Sequence, residues 1–308
     1  MRVVTQHRTG GPEVLEIADV DDPSAGPGEV RLVTSGIGVN PIDAAVRAGY
    51  FPLLGEPPFT VGWDVAGVID QVGEGVAEFA VGDRVFGMPR FPGEAAAYAE
   101  RVVAPAADLA HIPSRLDAQH AAALPLVGLT AWQALVGEGG VGSGTRVLVQ
   151  AAGGGVGHVA VQIAKARGAH VVATASPRKA EFVGTLGADE IVDYTTTELT
   201  TVAAVDVAID PLGGENTART LTAVRDGGVL ALLLGEFDDS IRAAAAERGV
   251  RLARIAVKPD AAALASLVDL IDSGQLSPTV HATFNLDKAA EAHAALAGNV
   301  LGKLVLLP

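Results

Sequence analysis

Residues 147–176 read VLVQAAGGGVGHVAVQIAKARGAHVVATAS, and their pattern is strand, glycine turn, helix, strand. Residues 147–150 are an apolar run of β character. Residues 151–157 hold too much glycine for a helix interior. Val159, Ile163 and Ala166 then recur at helical spacing, and Gly168 stands where a helix would end. Residues 171–174 are the next buried strand. Such a turn suits a diphosphate. Missing Cβ atoms let the chain bend sharply and let a phosphate come close, while the helix presents free N–H groups and the positive end of its dipole. The run Ala152-Gly153-Gly154-Gly155-Val156-Gly157 departs from a strict G-x-G-x-x-G by its first alanine, but strand, helix and second strand all fit the dinucleotide setting. Gly154, Gly155, Val156 and Gly157 are the residues this reading assigns to the cofactor.

The end of the second strand selects the cofactor. NAD sites place an acid there, where it holds the ribose hydroxyls. Here the chain reads Thr174-Ala175-Ser176-Pro177-Arg178-Lys179, a hydroxyl followed by two cations. Ser176, Arg178 and Lys179 suit a 2′-phosphate, so NADPH is the expected cofactor.

Outward from this stretch, the 308 residues suffice for two domains with a substantial core. Hydrophobic residues at 49% against 19% charged describe a globular chain. A net charge of −14 argues against a nucleic-acid partner or an anionic membrane surface. The absence of cysteine removes thiolate nucleophiles, disulfides and cysteine zinc sites together. No apolar run reaches the ~20 residues that span a bilayer, and the first residues carry no apolar signal core, so a cytoplasmic protein is expected.

Residues 1–122 look β-rich, with short apolar runs at 30–34, 65–72, 84–86 and 100–103 set between glycine turns. Residues 118–135 turn helical and apolar. From 147 on, strands and helices alternate, with further strands at 191–194, 205–210, 229–234 and 250–257. Unbroken apolar runs of this kind suit parallel strands covered on both faces. Two helices, at 261–272 and 287–297, and a strand at 303–307 complete the chain.

Five segments in order then resemble one family. They are Val39-Asn40-Pro41-Ile42-Asp43, Val61-Gly62-Trp63-Asp64-Val65-Ala66-Gly67, Val81-Gly82-Asp83-Arg84-Val85, the run from Leu124 through Thr130-Ala131-Trp132, and the glycine turn. Together they resemble the zinc-independent quinone oxidoreductase (zeta-crystallin-like) branch of the medium-chain dehydrogenase/reductase superfamily. The resemblance implies an α/β protein. A GroES-like, β-rich catalytic domain would be built from both chain ends, 1–122 and 258–308. A Rossmann domain with a doubly wound parallel sheet, 123–257, would be inserted between them, with the active site in the cleft. It also implies a homodimer joined through Rossmann sheet edges, and residues 250–257 are the candidate edge.

Zinc members of the superfamily carry a cysteine where this chain has Asn40, a histidine at Trp63, an acid at Asp64 and a second cysteine near Leu126. One carboxylate beside Trp and Leu makes no tetrahedral zinc site. Hydride addition to a conjugated acceptor stays accessible without a metal, because conjugation spreads the developing charge. The expected reaction is therefore hydride transfer from NADPH to a quinone or an α,β-unsaturated carbonyl. An enoyl-thioester or polyketide tailoring reductase and a non-catalytic NADPH-binding partner protein are the alternatives.

By its match to the family's asparagine, Asn40 is the candidate polar contact for nicotinamide and substrate. Relatives carry a tyrosine eleven positions later, where this chain has Phe51. Tyr50, one place earlier, is the candidate proton donor, with solvent as the other source. Thr130, Tyr194, Leu233 and Gly235 complete the cofactor set. Phe51, Trp63, Met88, Phe91 and Phe237 are candidates for an apolar substrate wall, about half of them expected in the core. Lys303 reads as structural, and Asp210 carries no evident chemical task.

Overall fold

The computed structural model describes residues 1–308, which divide into two compact units. Met1–Leu129, Lys258–Asp272 and Pro278–Pro308 form the first; Thr130–Val257 with Ser273–Ser277 forms the second. The division falls inside a helix, after Leu129, where the sequence suggested 122. The short segment Ser273–Ser277 belongs to the second unit because the Gln162 amide donates to Ser277 O (3.1 Å) and accepts from Ser277 N (2.9 Å).

In chain order the elements are β1 (Arg2–Thr5), β2 (Glu16–Asp19), β3 (Glu29–Val39), α1 (Pro41–Ala48), β4 (Asp64–Val72), β5 (Arg84–Gly87), β6 (Arg101–Pro105), β7 (Leu109–His111), α2 (Ala118–Ala122) and α3 (Pro125–Trp132). Then come β8 (Arg146–Val149), α4 (Gly155–Ala166), β9 (His170–Ala175), α5 (Pro177–Thr185), β10 (Glu190–Asp193), β11 (Val205–Asp210), α6 (Glu215–Ala223), β12 (Val224–Leu232), α7 (Asp239–Glu247) and β13 (Arg251–Arg254). The chain ends with α8 (Ala261–Asp272), β14 (Val280–Asn285), α9 (Ala289–Ala295) and β15 (Lys303–Leu307). No helix is long and apolar enough to cross a membrane.

The first unit is organised on β3, whose 11 residues pair antiparallel with β4, β6 and β15 in a sheet of order β14-β15-β3-β4-β5-β7. Register decides what meets at the end of β3. Leu304 pairs with Val39 and Gly38 with Asp64, so the residues just beyond, Lys303 and Asn40, are brought beside Asp64. The approach is close enough to demand glycine. A Cβ on Gly38 would lie 2.4 Å from Ala122 O and 2.8 Å from Asp64 Cβ. Pro41 starts α1 directly, with Asn40 as N-cap and Asp43 closing a capping box. The sequence reading had no helix here.

The second unit is an all-parallel sheet of order β10-β9-β8-β11-β12-β13, as expected of a doubly wound fold. The order reverses between β8 and β11, which opens the usual ligand crevice above their C-terminal ends. Leu148, Val172, Ala208, Leu230 and Leu232 are fully buried, so these strands read as continuous apolar runs. The expected strand 250–257 is shorter, β13 covering only Arg251–Arg254 at the sheet edge.

Candidate active site

The turn after β8 is built by β9. Thr174 Oγ1 accepts from Ala151 N (3.0 Å) and Thr174 O from Ala152 N (3.0 Å). The residue with left-handed backbone is Ala151, at φ 49°, and none of the glycines that follow it. Gly157 has a different task. A Cβ there would lie 2.3 Å from Ala151 O and 2.7 Å from Ala152 Cα, so its hydrogen lets α4 pack on the turn. Gly154 caps α4 in extended conformation with no side chain on the first-turn N–H groups. That leaves backbone donors and the helix dipole for an anion.

Beside this turn lies a cavity of about 380 Å³. Its lining includes Gln150, Gly153, Gly154, Thr174, Ser176, Lys179, Tyr194, Asn216 and Arg219. Partial burial lowers the pKa of the Lys179 ammonium. Asp210 has a task after all: its carboxylate accepts from Leu212 N (2.9 Å), Gly213 N (3.1 Å) and Thr217 Oγ1 (2.8 Å), shaping the turn into α6. Ser176, Lys179, Tyr194 and Gly154 thus share one cavity. Arg178 is exposed and does not line it, nor do Gly155, Val156, Gly157, Leu233 and Gly235. Thr130 is buried at the start of the second unit.

In the first unit, the convergence of β3, β4 and β15 makes a buried polar cluster. Lys303 Nζ donates to Asn40 Oδ1 and lies 3.2 Å from Asp64 Oδ2. Asn40 Nδ2 donates to Asp64 Oδ2 (2.9 Å), and Leu126 N to Asp64 Oδ1 (2.7 Å). Burial raises the Asp64 pKa, and the Lys303 ammonium pulls it partway back. Asn40 is itself fully buried, with one lone pair of its amide oxygen taken by Lys303. Tyr50, ten residues on, follows the left-handed Gly49 cap of α1 and is 83% exposed. Trp63 and Met88 are buried in the first unit, Trp63 with Nε1 donating to Gly93 O (2.6 Å). Phe237 is core in the second unit, and Phe51 and Phe91 are half-buried.

A second buried chain runs from α1 to α9. Arg47 Nη1 meets His293 Nδ1 at 2.9 Å, His293 Nε2 meets Tyr98 Oη at 2.9 Å, and Tyr98 Oη donates to Asp43 Oδ2 at 3.0 Å. A guanidinium can only donate, so Nδ1 accepts and the ring proton sits on Nε2. No sequence signal pointed to Tyr98 or His293, which lie 55 and 195 residues from their partners. Burial, with Arg47 adding to it, lowers the His293 pKa to about 3; burial raises that of Asp43 to about 7.

Their pH effects oppose. Between about pH 3 and 6.5 the unfolded chain protonates His293 and the folded one does not, so this group makes stability rise with pH. Between 3.8 and about 7 the folded chain protonates Asp43 and the unfolded one does not, so that group makes stability fall with pH. His293→Gln removes the compensation. Relative to wild type, its stability is expected to fall as pH rises from 4 to 6.5, by up to about 1.4 kcal/mol per unit. Urea unfolding at a series of pH values reads this; a difference independent of pH would refute it.

The zinc-ligand positions do not fit zinc. Asn40, Trp63 and Leu126 offer no thiolate or imidazole, and the one carboxylate, Asp64, already faces an ammonium.

Residues 26–114 match the alcohol dehydrogenase GroES-like domain family, and residues 186–306 match a family described as zinc-binding dehydrogenase. A 2-haloacrylate reductase from Burkholderia is 36% identical, over 98% of this chain and 97% of its own length. The quinone oxidoreductase of Coxiella burnetii superposes with a TM-score of 0.93 at 30% identity, covering 100% of this chain and 99% of its own. The Escherichia coli quinone oxidoreductase, solved in complex with NADPH, superposes at 0.88 with 27% identity over 100% of both chains. With the GroES-like and Rossmann-like units above, these likenesses establish the chain as an oxidoreductase of the quinone oxidoreductase branch of the medium-chain dehydrogenase/reductase superfamily.

Proposed function

We propose that the chain is an NADPH-dependent reductase that passes hydride to a quinone or to an α,β-unsaturated carbonyl compound. The observation that carries the cofactor choice is the cavity wall at the end of β9. It offers Ser176 and Lys179 and no carboxylate, where an acid would bind ribose hydroxyls and repel a 2′-phosphate. The NADPH complex of the E. coli relative supports the same choice.

Bound NADPH supplies the hydride. The α4 N-terminus from Gly154 to Gly157 suits its pyrophosphate. Ser176 and Lys179, with Arg178 beside them, suit the 2′-phosphate, and Tyr194 the adenosine. Thr130, Leu233 and Gly235 are assigned to the nicotinamide end. Asn40, its orientation fixed by Asp64 and Lys303, is assigned to the polar contact near nicotinamide and substrate. Tyr50, exposed to solvent, is assigned as proton donor to the carbon of an enone; a quinone needs no carbon protonation. An acceptor with a conjugated carbon–carbon double bond is favoured by one observation, the 2-haloacrylate reductase relative. We further assign a homodimer joined along β13.

Oxidation of NADPH and NADH against 1,4-benzoquinone, a simple enone, 2-chloroacrylate and crotonyl-CoA tests this reading. NADPH is expected to exceed NADH in kcat/KM by at least about tenfold. Equal use of both, or no turnover with any acceptor, would overturn it. Tyr50→Phe is expected to lower enone turnover by about 10²-fold relative to quinone turnover. An unchanged ratio removes Tyr50 from the chemistry.

A further inference from the structure

We infer that Arg219, on α6, is the second cation of the phosphate subsite, clamping a dianionic phosphate monoester from the wall opposite Lys179. This rests on the NADPH reading above and names a residue that no motif in the sequence marks. The cavity has its floor at the ends of β8 and β9, with Gln150, Ala151, Gly153 and Gly154. One wall is the end of β9 and the start of α5, carrying Ser176 and Lys179. The other wall joins the loop after β10, which brings Tyr194, Thr197 and Glu198, to α6, which brings Asn216 and Arg219. These two pieces are one surface, because Leu199 of the loop and Leu221 of α6 share a buried apolar cluster.

Arg219 has no ion pair and no side-chain hydrogen bond; Thr222 Oγ1 donates to its backbone carbonyl. Glu198, on the same wall, lies beyond ion-pair distance of it. Most arginines of this chain are otherwise engaged: Arg146, Arg225, Arg248, Arg251 and Arg254 of the same unit all pair with carboxylates. In a chain of net charge −14, a cavity with two cations against one acid is a local excess of positive charge. A planar guanidinium fork and a point-like ammonium in one cavity suit the three oxygens of a phosphate monoester. Arg178, adjacent to Lys179 in sequence, is exposed and does not line the cavity.

The test is direct titration calorimetry, independent of turnover. Wild type, Arg219→Gln and Arg219→Lys are titrated with NADPH, NADH, adenosine 2′,5′-bisphosphate and 5′-AMP. Arg219→Gln is expected to weaken NADPH and the bisphosphate by about tenfold or more, and NADH and 5′-AMP by less than about twofold. Arg219→Lys is expected to recover part of the loss. Equal losses for NADPH and NADH would place Arg219 against the adenine or the pyrophosphate and overturn the inference, as would no loss at all. Wild type binding NADH as tightly as NADPH would instead overturn the NADPH reading itself. Arg219 is exposed, so an unchanged unfolding midpoint is expected to confirm that the variants are folded.

Discussion

Lys303→Met is expected to destabilise the first unit by about 3–5 kcal/mol. Lys303 and Asp64 are almost wholly buried and lie 3.2 Å apart. Removing the ammonium leaves the carboxylate with two N–H donors, from Asn40 and Leu126, and no counter-charge. The cost comes mainly from the orphaned anion, since a buried pair replaced as a whole is often near neutral. Lys303→Met with Asp64→Asn is therefore expected to recover most of the loss. The sign with pH follows. Burial already raises Asp64 above its unfolded value, and loss of Lys303 raises it further. The folded variant then binds a proton that the unfolded chain releases above about pH 4, so its deficit widens as pH rises and shrinks near pH 5. Urea unfolding reads this, and Trp63 lies in the first unit and Trp132 in the second, so single-tryptophan variants separate the two. A deficit flat in pH, or a double variant as unstable as the single one, would show that Lys303 contributes packing alone.

The second unit was far more legible in the sequence than this cluster, and the reason is distance along the chain. The strand–turn–helix–strand unit is local, so apolar periodicity and glycine placement within thirty residues describe it. The cavity beside the glycine turn, proposed above to take the cofactor, was half legible. Ser176 and Lys179 follow a recognisable strand, whereas Arg219 enters from a helix whose position depends on the sheet order. The cluster in the first unit was not legible. Asn40, Asp64 and Lys303 are brought together by the pairing of β3 with β4 and β15, across 239 residues between Asp64 and Lys303. Lys303 read as structural, which its burial fits, but nothing local showed that its partners would be Asn40 and Asp64. Helix α1 was missed because Asn40-Pro41 reads equally as a turn; the capping box with Asp43 decides for helix. The glycine turn was legible in outline and different in detail, since the left-handed residue is Ala151 and Gly157 serves packing.

That division of labour within the turn yields the second large effect. Gly157→Ala is expected to destabilise the second unit by about 3 kcal/mol or more and to weaken NADPH binding by more than about 100-fold. The new Cβ would stand 2.3 Å from Ala151 O, 2.7 Å from Ala152 Cα and 2.9 Å from Ala151 C. All three are backbone atoms, so no rotamer change relieves the clash. Either α4 moves off the sheet or the turn is displaced, and both disturb the N–H groups at the start of α4 that are proposed to hold the pyrophosphate. Gly154→Ala separates the two functions. Its Cβ would meet only Ala151 O, at 3.2 Å, and Gly154 lines the cavity. It is expected to cost little stability while still weakening NADPH, because the added methyl takes space a phosphate would use. Gly142→Ala, where a Cβ meets nothing within 4 Å, is expected to stay within about 0.5 kcal/mol of wild type. Thermal unfolding and calorimetric titration of the three variants give the answer together. Losses of stability and affinity that rise in step through Gly154 and Gly157 would mean that the turn acts only as a packing element. A Gly154 variant with near-native stability and weakened NADPH would mean that the backbone at this turn approaches the ligand directly.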